Sequence, residues 1–74
     1  MEDKANFQAV YCQARTDVLL CNYERSIKGF ETLIDLDATF IEAYVELGHC
    51  LYKLGSTDEA LKAYLRAIRV SNLT

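Results

Sequence analysis

The stretch LGHCLYKLG, residues 47–55, sets two glycines seven positions apart in a run whose apolar residues keep helical spacing. Glycine in a helix interior costs roughly 1 kcal/mol relative to alanine, so each of the two needs its own reason. Tyr44, Leu47, Gly48 and Leu51 share one face. The stripe runs through Gly48 and ends at Leu54, which leaves Gly48 interior and Gly55 just past the end. The position after a helix end often takes the left-handed conformation, where glycine is favoured. An interior glycine on an apolar face makes sense where another helix crosses at close range. The next helical stripe, Ala60, Tyr64 and Ala67, supplies small residues for that crossing.

Start signals frame the same region. Thr39 and Glu42 have the spacing of a capping box, and Ser56 and Glu59 repeat it. Residues 40–72 therefore read as helix, tight turn, helix. Upstream, NYERSIKGFETLIDLD (Asn22–Asp37) reads as a further helix with Asn22 as its cap. Before it, Phe7, Val10, Tyr11, Ala14, Val18 and Cys21 form one amphipathic stripe. The expected helices span about 4–20, 23–36, 40–54 and 58–71. Their short connections force antiparallel neighbours.

Composition agrees with an all-α chain. Of 74 residues, 51% are hydrophobic and none is proline. A chain this short is one domain and buries only about 60% of its extended surface. The formal charge is −3, with acidic residues gathered in the first half, which is not the footprint of a nucleic-acid binder. No apolar run approaches the roughly 18 residues a membrane span needs. The N-terminus has no basic stretch followed by an apolar segment, so no signal peptide is read there. The initial Met1 favours a natural or designed start. Three cysteines, Cys12, Cys21 and Cys50, have no paired spacing. An odd count without a secretory signal points to free thiols in a reducing, cytoplasmic setting, as buried or half-buried small apolar groups.

The pattern Tyr44…Leu47-Gly48…Leu51…Ala60…Tyr64…Ala67 closely resembles the signature of the tetratricopeptide repeat, a helix-turn-helix unit of 34 residues. The closing position, usually proline, is Asn72 here. The resemblance assigns a second repeat to about residues 41–74. One repeat length earlier, residues 7–40 form a first repeat, with Ser26, Phe30 and Leu33 matching Ala60, Tyr64 and Ala67. Its first helix diverges, because Gln13 and Asp17 stand where Leu47 and Leu51 stand. The implied architecture is two stacked antiparallel hairpins in one domain, four helices forming a fragment of a right-handed superhelix.

Chemistry has few candidates. His49 adjoins Cys50, but neighbours on a helix point about 100° apart, and no CxxC or HxxxH spacing supports a metal. Glu42, Glu46, His49 and Lys53 share a polar helix face of ordinary solvated type. No phosphate-cradling glycine loop is present, since Gly29, Gly48 and Gly55 are isolated. The reading is a non-enzyme with no metal and no cofactor.

Two surfaces suggest binding instead. The groove that such repeats line with their first helices would carry Tyr11, Arg15, Val45, His49 and Tyr52, flanked by Gln8, Val18 or Leu19, and Glu42. Aromatic and Arg side chains commonly anchor interfaces. The family's Lys and Asn clamp for a peptide carboxylate is not matched, since Tyr11, Arg15, Val45 and His49 stand there instead. On the last helix, Leu61, Leu65 and Ile68 form an apolar end face, with Lys62, Arg66 and Arg69 on a third side. The chain stops at Thr74, where a next repeat would begin, short of the roughly three repeats such folds generally need. The expected function is an adaptor or chaperone holding a peptide or helix of another protein. The alternatives are an assembly element, as homo-oligomer or obligate hetero-complex, and a fragment of a longer scaffold. Neither nucleic acid nor membrane is an expected partner.

Overall fold

The computed structural model describes residues 2–73, with side-chain surroundings from residue 6 onward. Met1 and Thr74, where the expected start and end fall, lie outside the described residues. Four helices follow one another: α1 Glu2–Leu19, α2 Tyr23–Leu36, α3 Ile41–Lys53 and α4 Thr57–Leu73. No strand occurs among the described residues. Each helix packs chiefly on its chain neighbour, α1 on α2, α2 on α3 and α3 on α4. The Cα envelope measures 36 × 32 × 14 Å. Its thin dimension is about two helices deep at ordinary interaxial distance.

The core runs through this slab. Phe30, Leu33, Ala43 and Cys50 are wholly buried, and Ala14, Tyr44, Leu47, Ala63 and Ala67 nearly so. Truncating a buried leucine such as Leu33 to alanine costs about 2–5 kcal/mol in comparable cores. Around this centre pack Phe7, Val10, Tyr11, Val18, Ile27, Phe40, Leu51 and Val70.

Gly48 is the crossing point that its place in the stripe suggests. A Cβ built on it would lie 2.8 Å from Cε1 of Tyr64. The Tyr64 ring rests on the bare backbone of α3, and Ala60 and Ala63 are buried beside it. The first hairpin uses the same device with the glycine on its other helix. A Cβ on Gly29 of α2 would come within 2.9 Å of the Ala14 Cβ of α1. Buried Ser26 adds a bond there, its hydroxyl donating to the Ala14 carbonyl at 3.2 Å. Gly29, which belongs to no glycine-rich loop, has this close approach as its role.

Helix ends follow one plan at both hairpin turns. After α3, the Gly55 N–H donates to the Tyr52 carbonyl (3.0 Å) and the Ser56 N–H to that of Leu51 (2.9 Å). Gly55 takes φ +86. This is the paired 6→1 and 5→2 closure that a left-handed residue completes. After α1, Cys21 N–H bonds the Val18 carbonyl (3.0 Å) and Asn22 N–H that of Asp17 (2.7 Å). Here the left-handed residue is Cys21, at φ 62. Cys21 precedes Gly55 by one repeat length. It therefore leaves the α1 stripe and lies exposed at the turn.

Three expectations are corrected. Thr39 does not cap α3. The N-cap is Phe40, without a side-chain bond, so the box with Glu42 does not form. Thr39 instead gives its hydroxyl (2.6 Å) and its N–H (3.0 Å) to the Asp37 carboxylate. Those two bonds hold the Asp37 carboxyl below its usual value. Asn22 is the N-cap of α2, but its side chain makes no capping bond. Finally, α4 continues through Asn72 to Leu73. Unlike proline, asparagine keeps its N–H and does not interrupt the helical ladder.

The strained turn yields a matched pair of outcomes. Replacing Cys21→Gly removes a left-handed penalty of about 1–2 kcal/mol against a smaller entropy cost. It should raise the urea midpoint, while Gly55→Cys should lower it. A second experiment concerns the crossing. Gly48→Ala gains helix propensity but drives a methyl into the Tyr64 ring, and overpacking of this kind costs about 1–3 kcal/mol. A net loss of stability is expected in thermal unfolding monitored by circular dichroism.

Candidate functional site: the face between the first and third helices

One side of the slab carries α1 beside α3, and most groove residues named from sequence gather there. Arg15 is the link. Its Nε lies 3.8 Å from the Glu46 carboxylate on α3. Its guanidinium also donates to the Tyr11 hydroxyl at 3.2 Å, and its Cζ lies 5.9 Å from the centre of that ring. The Arg15 side chain is half exposed, at 51%, so the ion pair itself contributes about 0–1 kcal/mol. Its larger effect is to hold a planar, five-donor group against an aromatic ring on an open surface.

Tyr11 is less available than the sequence suggests. Its ring meets Phe40 edge-on at 5.3 Å, and Phe7 meets the same Phe40 at 5.0 Å. Phe40 thus gathers two rings of α1 at the start of α3. Tyr11 is half-buried, packed in part against the core, with its hydroxyl bond to Arg15 at the surface. Val18 likewise packs against the core, whereas Leu19 is 79% exposed. On α3, Val45 and Tyr52 are exposed and His49 is half buried. These three occupy positions i, i+4 and i+7, so they form a ladder along one side of the helix. Tyr52 is the most open, at 60%.

Two contributors escaped the sequence reading. Glu46 lies on a polar helix face of ordinary solvated type, yet it bridges to Arg15. Phe40 stood unremarked beside Thr39. The signal for Glu46 was its place one turn before His49 on the groove side. For Phe40 there was none, because its partners lie far away in sequence.

The signature residues sit where a paired-helix repeat requires. Tyr44, Leu47, Gly48, Ala60 and Ala67 are buried, and Leu51 and Tyr64 partly so. The Tyr44 hydroxyl donates to the Ala38 carbonyl at 2.8 Å, and the Arg66 guanidinium stacks 5.1 Å above its ring. Arg66 is therefore engaged as well as solvated. The end face is open: Leu61, Leu65 and Ile68 are 57%, 52% and 56% exposed.

The cysteines divide. Cys12 and Cys21 are exposed, and only Cys50 is buried, which corrects the expectation of small buried groups for the first two. Tyr23 donates its hydroxyl to the Cys21 sulfur at 3.6 Å, and its phenol is pushed up. Burial, aided by the nearby Glu46 charge, pushes the Cys50 thiol up to about 11. Among the described residues no three of His, Cys, Asp and Glu come together as a metal site would need. Nor, among the described residues, is any helix long and apolar enough to cross a membrane.

Antiparallel helix pairs that pack only on their neighbours, with small residues at the crossings, define the helical-repeat class of interaction scaffolds. Residues 41–71 match the tetratricopeptide repeat family. Over that stretch the chain carries a tetratricopeptide repeat, a unit of a family that generally serves as a protein–protein interaction module. A curated relative, the small glutamine-rich tetratricopeptide repeat-containing protein 2 of Saccharomyces cerevisiae, is 31% identical over 51 residues. The match covers 69% of this chain and 15% of the yeast protein, so the chain spans a small part of that relative's length.

The buried thiol sets a pH dependence. The folded value of Cys50, about 11, lies above the ordinary 9.0 of an exposed thiol. The stability it contributes is whole below about pH 9 and is lost as pH rises through 11. The urea midpoint should fall more steeply above pH 9 in the native chain than in Cys50→Ala. At pH 8 a thiol reagent should modify Cys12 and Cys21 promptly and reach Cys50 only on unfolding.

Proposed function

We propose that this chain is a non-catalytic protein-interaction module, a small tetratricopeptide-like adaptor or chaperone. It holds a peptide or helix of another protein along the face between α1 and α3. The observation that carries this reading is the ladder of Val45, His49 and Tyr52 beside an Arg15 loosely held by Glu46 and Tyr11. An extended, partly aromatic surface with one preset cation limits the ordering cost of binding. In this reading residues 7–40 serve as a first repeat and 41–74 as a second. The recurrence of one turn geometry at Cys21 and Gly55 supports that division. Two exposed thiols accord with a reducing, cytoplasmic setting. The acidic balance disfavours a nucleic-acid partner.

A second reading has its own observation. Leu61, Leu65 and Ile68 form an exposed apolar stripe that a monomer ordinarily covers, which supports use of α4 as an association surface, in a homo-oligomer or a hetero-complex. The two readings occupy different sides of the molecule and are compatible.

The groove reading is tested with a partner recovered by affinity capture and then purified. Tyr52→Ala combined with Arg15→Ala should weaken its binding by about tenfold or more, with the helical circular dichroism unchanged. A control, Lys28→Ala on the far side, should bind as the native chain does. Unaltered binding by the double variant would remove the groove from the account.

A further inference from the structure

We propose that the face between α1 and α3 takes a proline-rich segment of another protein, laid along α3 as a polyproline II helix. The proposal deepens the groove reading, rests on it, and names the occupant.

The face is rich in donors on both sides. On α1, the Tyr11 hydroxyl accepts from Arg15 and keeps its own O–H to give. The half-exposed Arg15 uses only part of its five-donor fork on Tyr11 and Glu46. On α3, among the described residues, His49 and the exposed Tyr52 have no hydrogen-bond partner. Lys53 adds a free cation one residue on. Acceptors are scarcer. Glu46 is turned to Arg15, and Glu42 stands at the very start of α3. The surface thus presents mainly positive hydrogens, and its complement in charge is a chain of negative carbonyl oxygens. Proline is the residue whose backbone has a C=O and no N–H. In polyproline II those carbonyls make no internal bonds and stay free to accept.

Spacing agrees with this occupant. Val45 and Tyr52 are both exposed on this side of α3. They stand seven residues apart, which is about 10 Å along the helix axis. Polyproline II returns to the same face every three residues, about 9 Å. Two prolines three apart therefore set one ring on Val45 and the next on Tyr52, with carbonyls between them beside His49. Aromatic-lined grooves engage proline rings by this kind of contact. The segment also arrives already extended, so little conformational freedom is lost on docking.

Two other occupants fit less well. A strand returns to one face every ~7 Å, and half of its backbone polar groups are N–H donors that find few acceptors here. An amphipathic helix matches the spacing, but its backbone groups are paired internally. It would strip water from Tyr11, Arg15 and His49 and return only what its side chains offer. His49 and Arg15 also interrupt the continuous apolar stripe such a helix needs.

The test titrates three capped peptides of about twelve residues into the full isotope-labelled chain. They are an oligoproline, an alanine–serine peptide, and a helix former with leucines at i, i+4 and i+7. The oligoproline should move the amides of Val45, His49 and Tyr52 and the side chain of Arg15. It should bind at least about tenfold more tightly than the alanine–serine peptide. Tyr52→Ala should weaken it about tenfold. Tyr52→Phe, which keeps the ring and loses the donor, should weaken it about threefold. Circular dichroism should stay native in both variants. A helix former bound as tightly at the same residues would overturn the proposal and keep the groove. Oligoproline shifts confined to Leu61, Leu65 and Ile68, or absent, would overturn it as well. The groove reading is judged separately with the captured partner. If Arg15→Ala with Tyr52→Ala leaves that binding unaltered, both fall.

Discussion

The structure depends on two places where a helix offers bare backbone to its neighbour. At Gly48 the neighbour is the flat side of the Tyr64 ring, and at Gly29 it is the Ala14 methyl. Both contacts are closer than an added Cβ would allow. In a chain whose core holds few large side chains, spacing between helices decides how many of them can touch. Dispersion contacts are individually tiny and fall off quickly as surfaces separate. Bringing each helix pair close at one point lets Phe30, Leu33, Tyr44 and Leu47 close the space around it. The cost of a glycine in each helix is offset by the packing that proximity permits.

The groove face is held differently. The α1 and α3 helices are not primary packing partners, and their link runs through Phe40 and through Arg15 with Glu46. Phe40 fixes the first turns of the groove by ring contact. The Arg15 pair sits further along and is partly solvated, so it adjusts at little cost. A surface that is rigid at one end and adaptable at the other suits an extended ligand. This separation places fold stability in the hairpins, which present the exposed residues of this face without depending on them.

Much of this was legible because the decisive signals are local. The stripe from Tyr44 to Leu51, the glycine within it and the glycine after it lie in one short segment, and helix geometry converts spacing to direction without further knowledge. Residues whose roles depend on distant partners were not legible. Phe40 matters because of Phe7 and Tyr11, and Gly29 because of Ala14. Cys21 is an intermediate case. Its residue type gives no hint of a left-handed backbone, but alignment with Gly55 by one repeat length marks the position. Thr39 shows a local rule losing to a local competitor. Asp37, two residues earlier, takes the hydroxyl that would have capped α3.

The neighbour-by-neighbour order of the main packing has a consequence for how the molecule opens. Helices arranged in sequence, each leaning mainly on the ones before and after, behave as a chain of coupled units and not as a single block. The inner pair, α2 and α3, is clamped from both sides, while α1 and α4 each have one principal support. Amide hydrogen exchange should therefore grade from the middle outward. A helix that settled on α4 would give the terminal unit a second support. Such a contact would be felt as slowed opening of α4 itself, so that exchange of its amides reports what lies against its outer side.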